Sequence, residues 1–238
     1  MIVERIRAMF DLNADRISIS ETLRNDPILA ERLQADPGLR VAGCWDAFEL
    51  AIRAILGQQV SVKAATTLAG RLVNRFGKPV RGLKGLTHLF PEPAALADAQ
   101  LGSIGLTATR AQTIRSLARN VCDGKISFTG VVDPERFVDQ LCEIPGIGKW
   151  TAQYVCMRAL GQPDAFPSTD LGLLRAMSLS SPKELERRAE AWRPWRAYAA
   201  MYLWRSAVPK SVACKETLSE VQLGSVQEAA SSKDLSFA

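Results

Sequence analysis

Apolar residues recur at three- and four-residue spacing in nearly every stretch of this chain, and that period most constrains its fold. In 46–56, Phe48, Ile52, Ile55 and Leu56 fall on one helical face. In 62–76, Val62, Ala65, Leu68, Leu72, Val73 and Phe76 do the same, and Ser61 is placed to cap the first turn. Residues 109–121 carry Ile114, Leu117, Ala118 and Val121 on one side. Asp133-Pro134 is a strong start for a helix over 134–142, with Asp as the cap and Pro in the first turn. Helices also fit 149–160, 182–192 and 194–206, and one helical segment around 20–35 precedes them. Glycines and prolines between Asn74 and Pro93 mark a long connection. Only 17–19 and 126–128 alternate like strands, and both are short. The predicted class is all-α.

The 238 residues suffice for one large domain or two small lobes with a real core. The formal charge is +5, but residues 211–238 hold two lysines against four acids, so 1–210 carries +7. A basic body suits a polyanion, though many ordinary soluble proteins share it. The cysteines Cys44, Cys122, Cys142, Cys156 and Cys214 are scattered and odd in number. They read as reduced thiols in a cytosolic setting, or a nuclear one in a eukaryote, and not as a disulfide frame, a structural zinc site or an iron–sulfur site. The single histidine, His88, reads as a surface residue, so no metal site is expected. No run of about 18 apolar residues and no basic-then-apolar leader is present, so no membrane partner is expected. The tail from 212 to 238 has no strong period and is expected to be loosely ordered.

Two features carry chemistry. Residues 141–151 read Leu-Cys-Glu-Ile-Pro-Gly-Ile-Gly-Lys-Trp-Thr, and Asp170 follows in Phe-Pro-Ser-Thr-Asp. Leu141 and Ile144 can anchor one helix end while Gly146 and Gly148 reverse the chain around Ile147. The next helix then starts near Lys149, so free N–H groups up to Thr151 point out of the turn and favour an anion. Lys149 adds a mobile charge. A plain αα-hairpin with a glycine turn would also use Gly-x-Gly, and Asp170 could simply cap a helix from 171. A weak echo of the turn stands at Leu101-Gly-Ser-Ile-Gly-Leu, where an ordinary glycine connection is the expectation.

The full string, apolar-Pro-Gly-apolar-Gly-basic-aromatic, resembles the helix–hairpin–helix of DNA repair proteins. With Asp170 downstream it resembles the helix–hairpin–helix DNA glycosylase superfamily. Gly43-Cys-Trp-Asp-Ala-Phe-Glu, Arg53-Ala-Ile-Leu-Gly-Gln-Gln-Val-Ser-Val and Ala191-Trp-Arg-Pro-Trp-Arg-Ala-Tyr-Ala look like 3-methyladenine DNA glycosylase II, the alkylation-repair branch. Members of that branch often carry a further N-terminal α/β domain, which this chain is expected to lack. The resemblance implies two helical lobes, 1–45 with 163–211 and 46–162, and an active-site cleft between them.

The resemblance also implies roles. Asp170 matches the family's catalytic aspartate. Trp150, Tyr154 and Trp204 match aromatic positions lining the base pocket, where a π-rich wall attracts a cationic base. Gln58 and Gln59 match the turn that fills the gap left by a flipped nucleotide, with Gln59 at the wedge position. Gly146, Ile147, Gly148, Lys149 and Thr151 would hold the DNA backbone. Bifunctional relatives place a lysine nucleophile where Trp150 stands. Lys149 lies one residue earlier, about 100° around the helix, so it is expected to face phosphate. Leu171 and Arg205 stand where tyrosine would also fit.

The reading is therefore a monomeric, monofunctional DNA glycosylase that flips alkylated bases from double-stranded DNA and hydrolyses the N-glycosidic bond in base excision repair. It calls for no cofactor; a monovalent cation at the hairpin is the one addition the turn would allow. A non-catalytic duplex-binding module and a bifunctional glycosylase for oxidised bases are the alternatives.

Overall fold

The computed structural model describes residues 2–82, 84–130 and 132–207. Within them run α1 (Ile2–Met9), α2 (Arg16–Leu23), α3 (Pro27–Ala35), α4 (Ala47–Leu56), α5 (Val62–Phe76) and α6 (Pro93–Ala97). They are followed by α7 (Ala108–Cys122), α8 (Pro134–Cys142), α9 (Lys149–Ala159), α10 (Leu171–Ala176), α11 (Pro182–Ala189) and α12 (Arg196–Ala207). Short 3-10 turns span Leu101–Ile104 and Glu190–Trp192. The fold is all-α; the only β feature among the described residues is an isolated bridge between Pro79 and the half-buried His88.

Side-chain caps start most of these helices. Asp15, Asp26, Asp46, Ser61, Thr107, Asp133 and Asp170 each accept from a backbone N–H of the first turn. Such acceptors satisfy donors that a helix cannot pair internally. The helix starting after Ser61 and the one starting after Asp133 have the caps that their sequences predict.

Two packing groups form around these helices. In one, α4 buries Phe48, Ala51, Ile52, Ile55 and Leu56 and packs against α5, α7 and α9. In the other, α12 lies on α10 and α3, while α2 packs on α3. Ala197, Tyr198, Ala199, Ala200, Tyr202 and Leu203 are all buried, so α12 is covered almost all round, as its apolar circumference requires.

Several expectations are corrected. The alternation at 17–19 lies inside α2, because three residues cannot separate a two-residue period from a helical one. The single segment over 20–35 is two helices. Asp26 caps the second through the Ile28 N–H, and Pro27 cannot continue the first. Residues 126–128 form no strand; Phe128 meets Phe137 edge-on at 5.7 Å. The segment over 182–192 is helical only to Ala189 and then tightens into the 3-10 turn. The loosely ordered tail expected over 212–238 lies outside the described residues, as do Cys214 and 208–211 of the first lobe.

Asp26 fastens distant parts of the second group. Besides its cap bond at 2.9 Å, it accepts from Arg188 Nε and Nη2 at 3.1 and 3.3 Å and from Trp192 Nε1 at 3.2 Å. Trp192 is buried, so removing this acceptor strands an indole N–H. Asp26→Ala is expected to cost about 2–4 kcal/mol, from the lost cap and the stranded donors. Urea unfolding checks this, and a loss within the ~0.5 kcal/mol of ordinary surface changes would contradict it.

Candidate active site

The turn between α8 and α9 is built by burial first. Leu141, Ile144 and Ile147 are buried, and Pro145, Gly146 and Gly148 stand outside them. Gly146 has φ +94°, a region costly for any residue with a Cβ. A Cβ there would also lie 2.1 Å from Thr113 Oγ1. Thr113, on α7, sits 2.8 Å from the Pro145 carbonyl and clamps the turn from behind. Gly148 is the N-cap residue of α9 and brings no capping side chain, so the first-turn N–H groups receive no such bond. Those donors and the helix dipole favour negative charge at the start of α9.

The turn at 57–61 is tied to this hairpin. Gln58 Nε2 donates to the Gly146 carbonyl at 3.0 Å and to Thr151 Oγ1 at 3.1 Å. Arg110 Nη2 donates to the Gln58 carbonyl at 2.6 Å. Gln58 is thus a strut between two turns, and its side chain is engaged inward. Gln59 is exposed and holds φ +54°, an uncommon conformation for a side chain of this size. Thr151 is buried and Ile147 is buried, so neither side chain reaches an outside anion; Ile147 N is itself bonded to Ile144 O at 3.0 Å.

Asp170 is delivered by the segment after α9. Gln153 Oε1 accepts from Phe166 N at 3.0 Å, and Asp170 N donates to Pro167 O at 2.9 Å. The carboxylate meets two indoles: Oδ2 accepts from Trp150 Nε1 at 2.6 Å, and Oδ1 accepts from Trp204 Nε1 at 2.9 Å. Oδ1 also accepts the cap bond from Leu173 N at 2.9 Å. A carboxylate offers about four acceptor positions. Oδ1 is therefore filled and Oδ2 keeps one position open. Asp170 caps α10 and presents a free lone pair at once, so the two readings of this residue coexist.

The three aromatic residues divide their work. Trp150 stacks on Tyr154 at 5.3 Å with the planes 5° apart, and the Arg158 guanidinium lies 5.7 Å from the Tyr154 ring. Arg158 Nε also donates to the Ala42 carbonyl. This row follows the i, i+4, i+8 spacing of one helical face. A cavity of about 440 Å³ is lined by Gly57, Gln58, Gln59, Gly146, Trp150 and Thr151. Trp150 belongs both to that cavity and to the carboxylate's hydrogen bonds. Tyr154 and Trp204 are not in its lining: Tyr154 backs Trp150, and Trp204 holds Asp170. Beside them Leu171 is 64 % exposed, and Arg205 turns away to Asp36 at 2.8 Å.

Lys149 points elsewhere. Its ammonium is 3.2 Å from Glu186 on α11, and both side chains are well exposed. Such a pair is worth only about 0–1 kcal/mol, so another anion can displace it. Sequence reasoning missed Glu186, Thr113 and Arg110, whose partners lie far off along the chain. Burial pushes the Cys156 thiol up to about 12, and burial and then Asp46 push Cys44 to about 11. Neither supplies a thiolate near neutral pH. Among the described residues no three of His, Cys, Asp and Glu gather as a metal site. The hairpin carbonyls of Ile144, Pro145 and Gly146 each already accept one bond.

Residues 52–196 match the family model of the HhH-GPD superfamily base excision DNA repair protein. The chain belongs to this HhH-GPD superfamily. Residues 1–46 match the AlkA N-terminal domain model. The chain is 43 % identical over 84 % of its length to a probable bifunctional transcriptional activator/DNA repair enzyme AlkA of Mycobacterium tuberculosis, but spans only 41 % of that relative. It is 32 % identical to a DNA-3-methyladenine glycosylase of Bacillus subtilis, covering 86 % of this chain and 71 % of the relative. A solved 3-methyladenine DNA-glycosylase from Archaeoglobus fulgidus superposes with a TM-score of 0.69 at 26 % identity, covering 87 % of this chain and 74 % of that one.

The turn has no room for a side chain at Gly146. Gly146→Ala adds the left-handed strain to an overlap with Thr113, together about 2–4 kcal/mol. Chemical denaturation should show that loss, and Gly146→Ala with Thr113→Ser should recover little of it. Wild-type stability in Gly146→Ala would mean the turn is not held as described.

Proposed function

We propose that this HhH-GPD protein is a monomeric, monofunctional DNA glycosylase that hydrolyses the N-glycosidic bond of alkylated bases flipped out of double-stranded DNA. One observation carries the reading: the Asp170 carboxylate keeps a single open acceptor position beside Trp150, which also walls the cavity at the 57–61 turn. The names of the relatives from Bacillus subtilis and Archaeoglobus fulgidus support the same class.

In this mechanism the α9 N-terminus and Gly146–Gly148 take a backbone phosphate, which positions the duplex without reading sequence. Gln59 enters the stack and fills the space of the extruded nucleotide. Its left-handed backbone presents the side chain outward, while the Gln58 strut keeps the turn registered to the hairpin. The base packs against the Trp150 face. An alkylated purine is already positive, so it is drawn to that face and leaves without strong acid help.

As the glycosidic bond breaks, positive charge builds on the sugar. Asp170 stabilises it, and the open side of Oδ2 orients the attacking water. Trp150 occupies the place a lysine nucleophile would need, and Lys149 lies about 100° around the helix from it. Strand cleavage by β-elimination is therefore not part of the reaction.

Asp170→Asn keeps an oxygen for the Leu173 cap and the Trp204 indole but sets an amide NH2 toward Trp150 Nε1, so it removes the charge and one acceptor while the helix cap stays. Single-turnover release of 3-methyladenine should fall by about 10²–10³-fold while duplex binding persists. Undiminished release would sink the catalytic assignment, and a borohydride-trapped protein–DNA adduct would refute the monofunctional one. Glu186→Gln should free Lys149 for phosphate. Duplex affinity should rise and the slope of log K against log salt should steepen by about 0.9; unchanged binding would place Lys149 off the DNA.

A further inference from the structure

The hairpin is a poor electrostatic anchor. Residues 133–153 hold four acids, Asp133, Glu135, Asp139 and Glu143, against two basic residues, Arg136 and Lys149. The stretch from 57 to 122 is the reverse, with nine lysines and arginines against only Glu92 and Asp98. That excess is larger than the charge of the whole chain, which is +5. Among the described residues the one ion pair of these eleven groups joins Arg119 to Asp98 at 2.7 Å. The largest local share of the attraction that a polyanion feels therefore comes from α5, α7 and their connection, ahead of the excess of four over 154–210.

That surface has a concave centre. Arg71, Asn74 and Arg75 on α5 face Ser103, Ile104 and Gly105 across a cavity of about 420 Å³. Arg71 Nη1 lies 3.4 Å from the Ile104 carbonyl, which steers the guanidinium to the cavity. Arg71 and Arg75 are both exposed, and among the described residues neither has a carboxylate partner. Gly105 has φ +87°, and Ser103 is exposed beside it. This is the segment that echoes the hairpin: Ile104 and Leu106 are buried around Gly105 as Ile144 and Ile147 are around Gly146.

We propose that Arg71, Asn74 and Arg75, with the 103–105 turn, form a second binding site for duplex DNA phosphate, distinct from the hairpin. The proposal rests on the glycosylase reading, which supplies the duplex. Its position fits one. Nine residues of α5 separate Val62, beside the Gln59 turn, from Arg71, a distance of about 14 Å. A separation of that size is small against a duplex that rises about 3.4 Å per base pair, so one duplex can reach both. A site there holds flanking backbone, so the hairpin and this cavity fix the DNA at two separated points. Guanidinium groups suit this task because their planar donors match phosphate oxygens.

The test is fluorescence anisotropy of the full chain with an undamaged duplex across a salt series. Arg71→Ala/Arg75→Ala should weaken binding and make the slope of log K against log salt shallower by about 0.9 for each phosphate released. Arg71→Lys/Arg75→Lys, which keeps both charges, should retain most of the slope. A wild-type slope in the alanine variant, with folding confirmed by its thermal midpoint, would overturn the proposal. An equal loss of slope in the lysine variant would also overturn it, because a charge-preserving change then acts through the fold. Undamaged duplex needs no base release, so a chain that binds it but releases no base would count against the glycosylase reading alone.

Discussion

Asp170 takes hydrogen bonds from two indoles that arrive from separate parts of the chain, Trp150 at the start of α9 and Trp204 near the end of α12. A half-buried carboxylate loses hydration and must be compensated by donors. Here the donors are aromatic, so the same side chains that compensate the charge also build the walls around it. Trp150 can do this only if α9 begins where it does, and that start is set by the Gly146 turn clamped on Thr113. Trp204 can do it only because α12 is buried on nearly every side and cannot rotate. The orientation of one carboxylate thus depends on both packing groups of helices.

A second constraint links binding to chemistry. Gln58 joins the 57–61 turn to the hairpin, and Arg110 holds the same residue from α7. The exposed Gln59 is therefore not on an independent loop. It is fixed relative to the α9 N-terminus, which is fixed relative to Asp170 through Trp150. Rigid registration of this kind is what positioning a flipped nucleotide against a carboxylate requires.

Much of this was legible in the residues themselves. Helical periods, the Ser61 and Asp133 caps and the Gly-x-Gly turn follow from local rules, because each depends on neighbours within four positions. The cap that Asp170 gives α10 was legible locally, and its candidacy for catalysis came from resemblance to a known pattern. What stayed hidden depends on partners far along the chain. Gln58 reads as a wedge until its amide is seen on Gly146, 88 residues away. The ion pair of Lys149 with Glu186, 37 residues away, has no signal in the local sequence. The stacking of Tyr154 on Trp150 follows a helical face, but the bond from Trp204 to Asp170 does not, because residue type and helical face say nothing about where an indole N–H points. The split at Asp26-Pro27 was available locally and was outweighed by an apolar period that ran across it.

The central claim is that Trp204 acts through Asp170 and not through direct contact with the base, which packs on Trp150. A double-mutant cycle tests it: single-turnover release of 3-methyladenine by Trp204→Phe, Asp170→Asn and the combined variant. Trp204→Phe removes one donor and keeps an aromatic ring. If Trp204 serves to hold the carboxylate, the combined variant is no slower than Asp170→Asn alone. If the two losses multiply, Trp204 contributes independently of Asp170 and the account is contradicted.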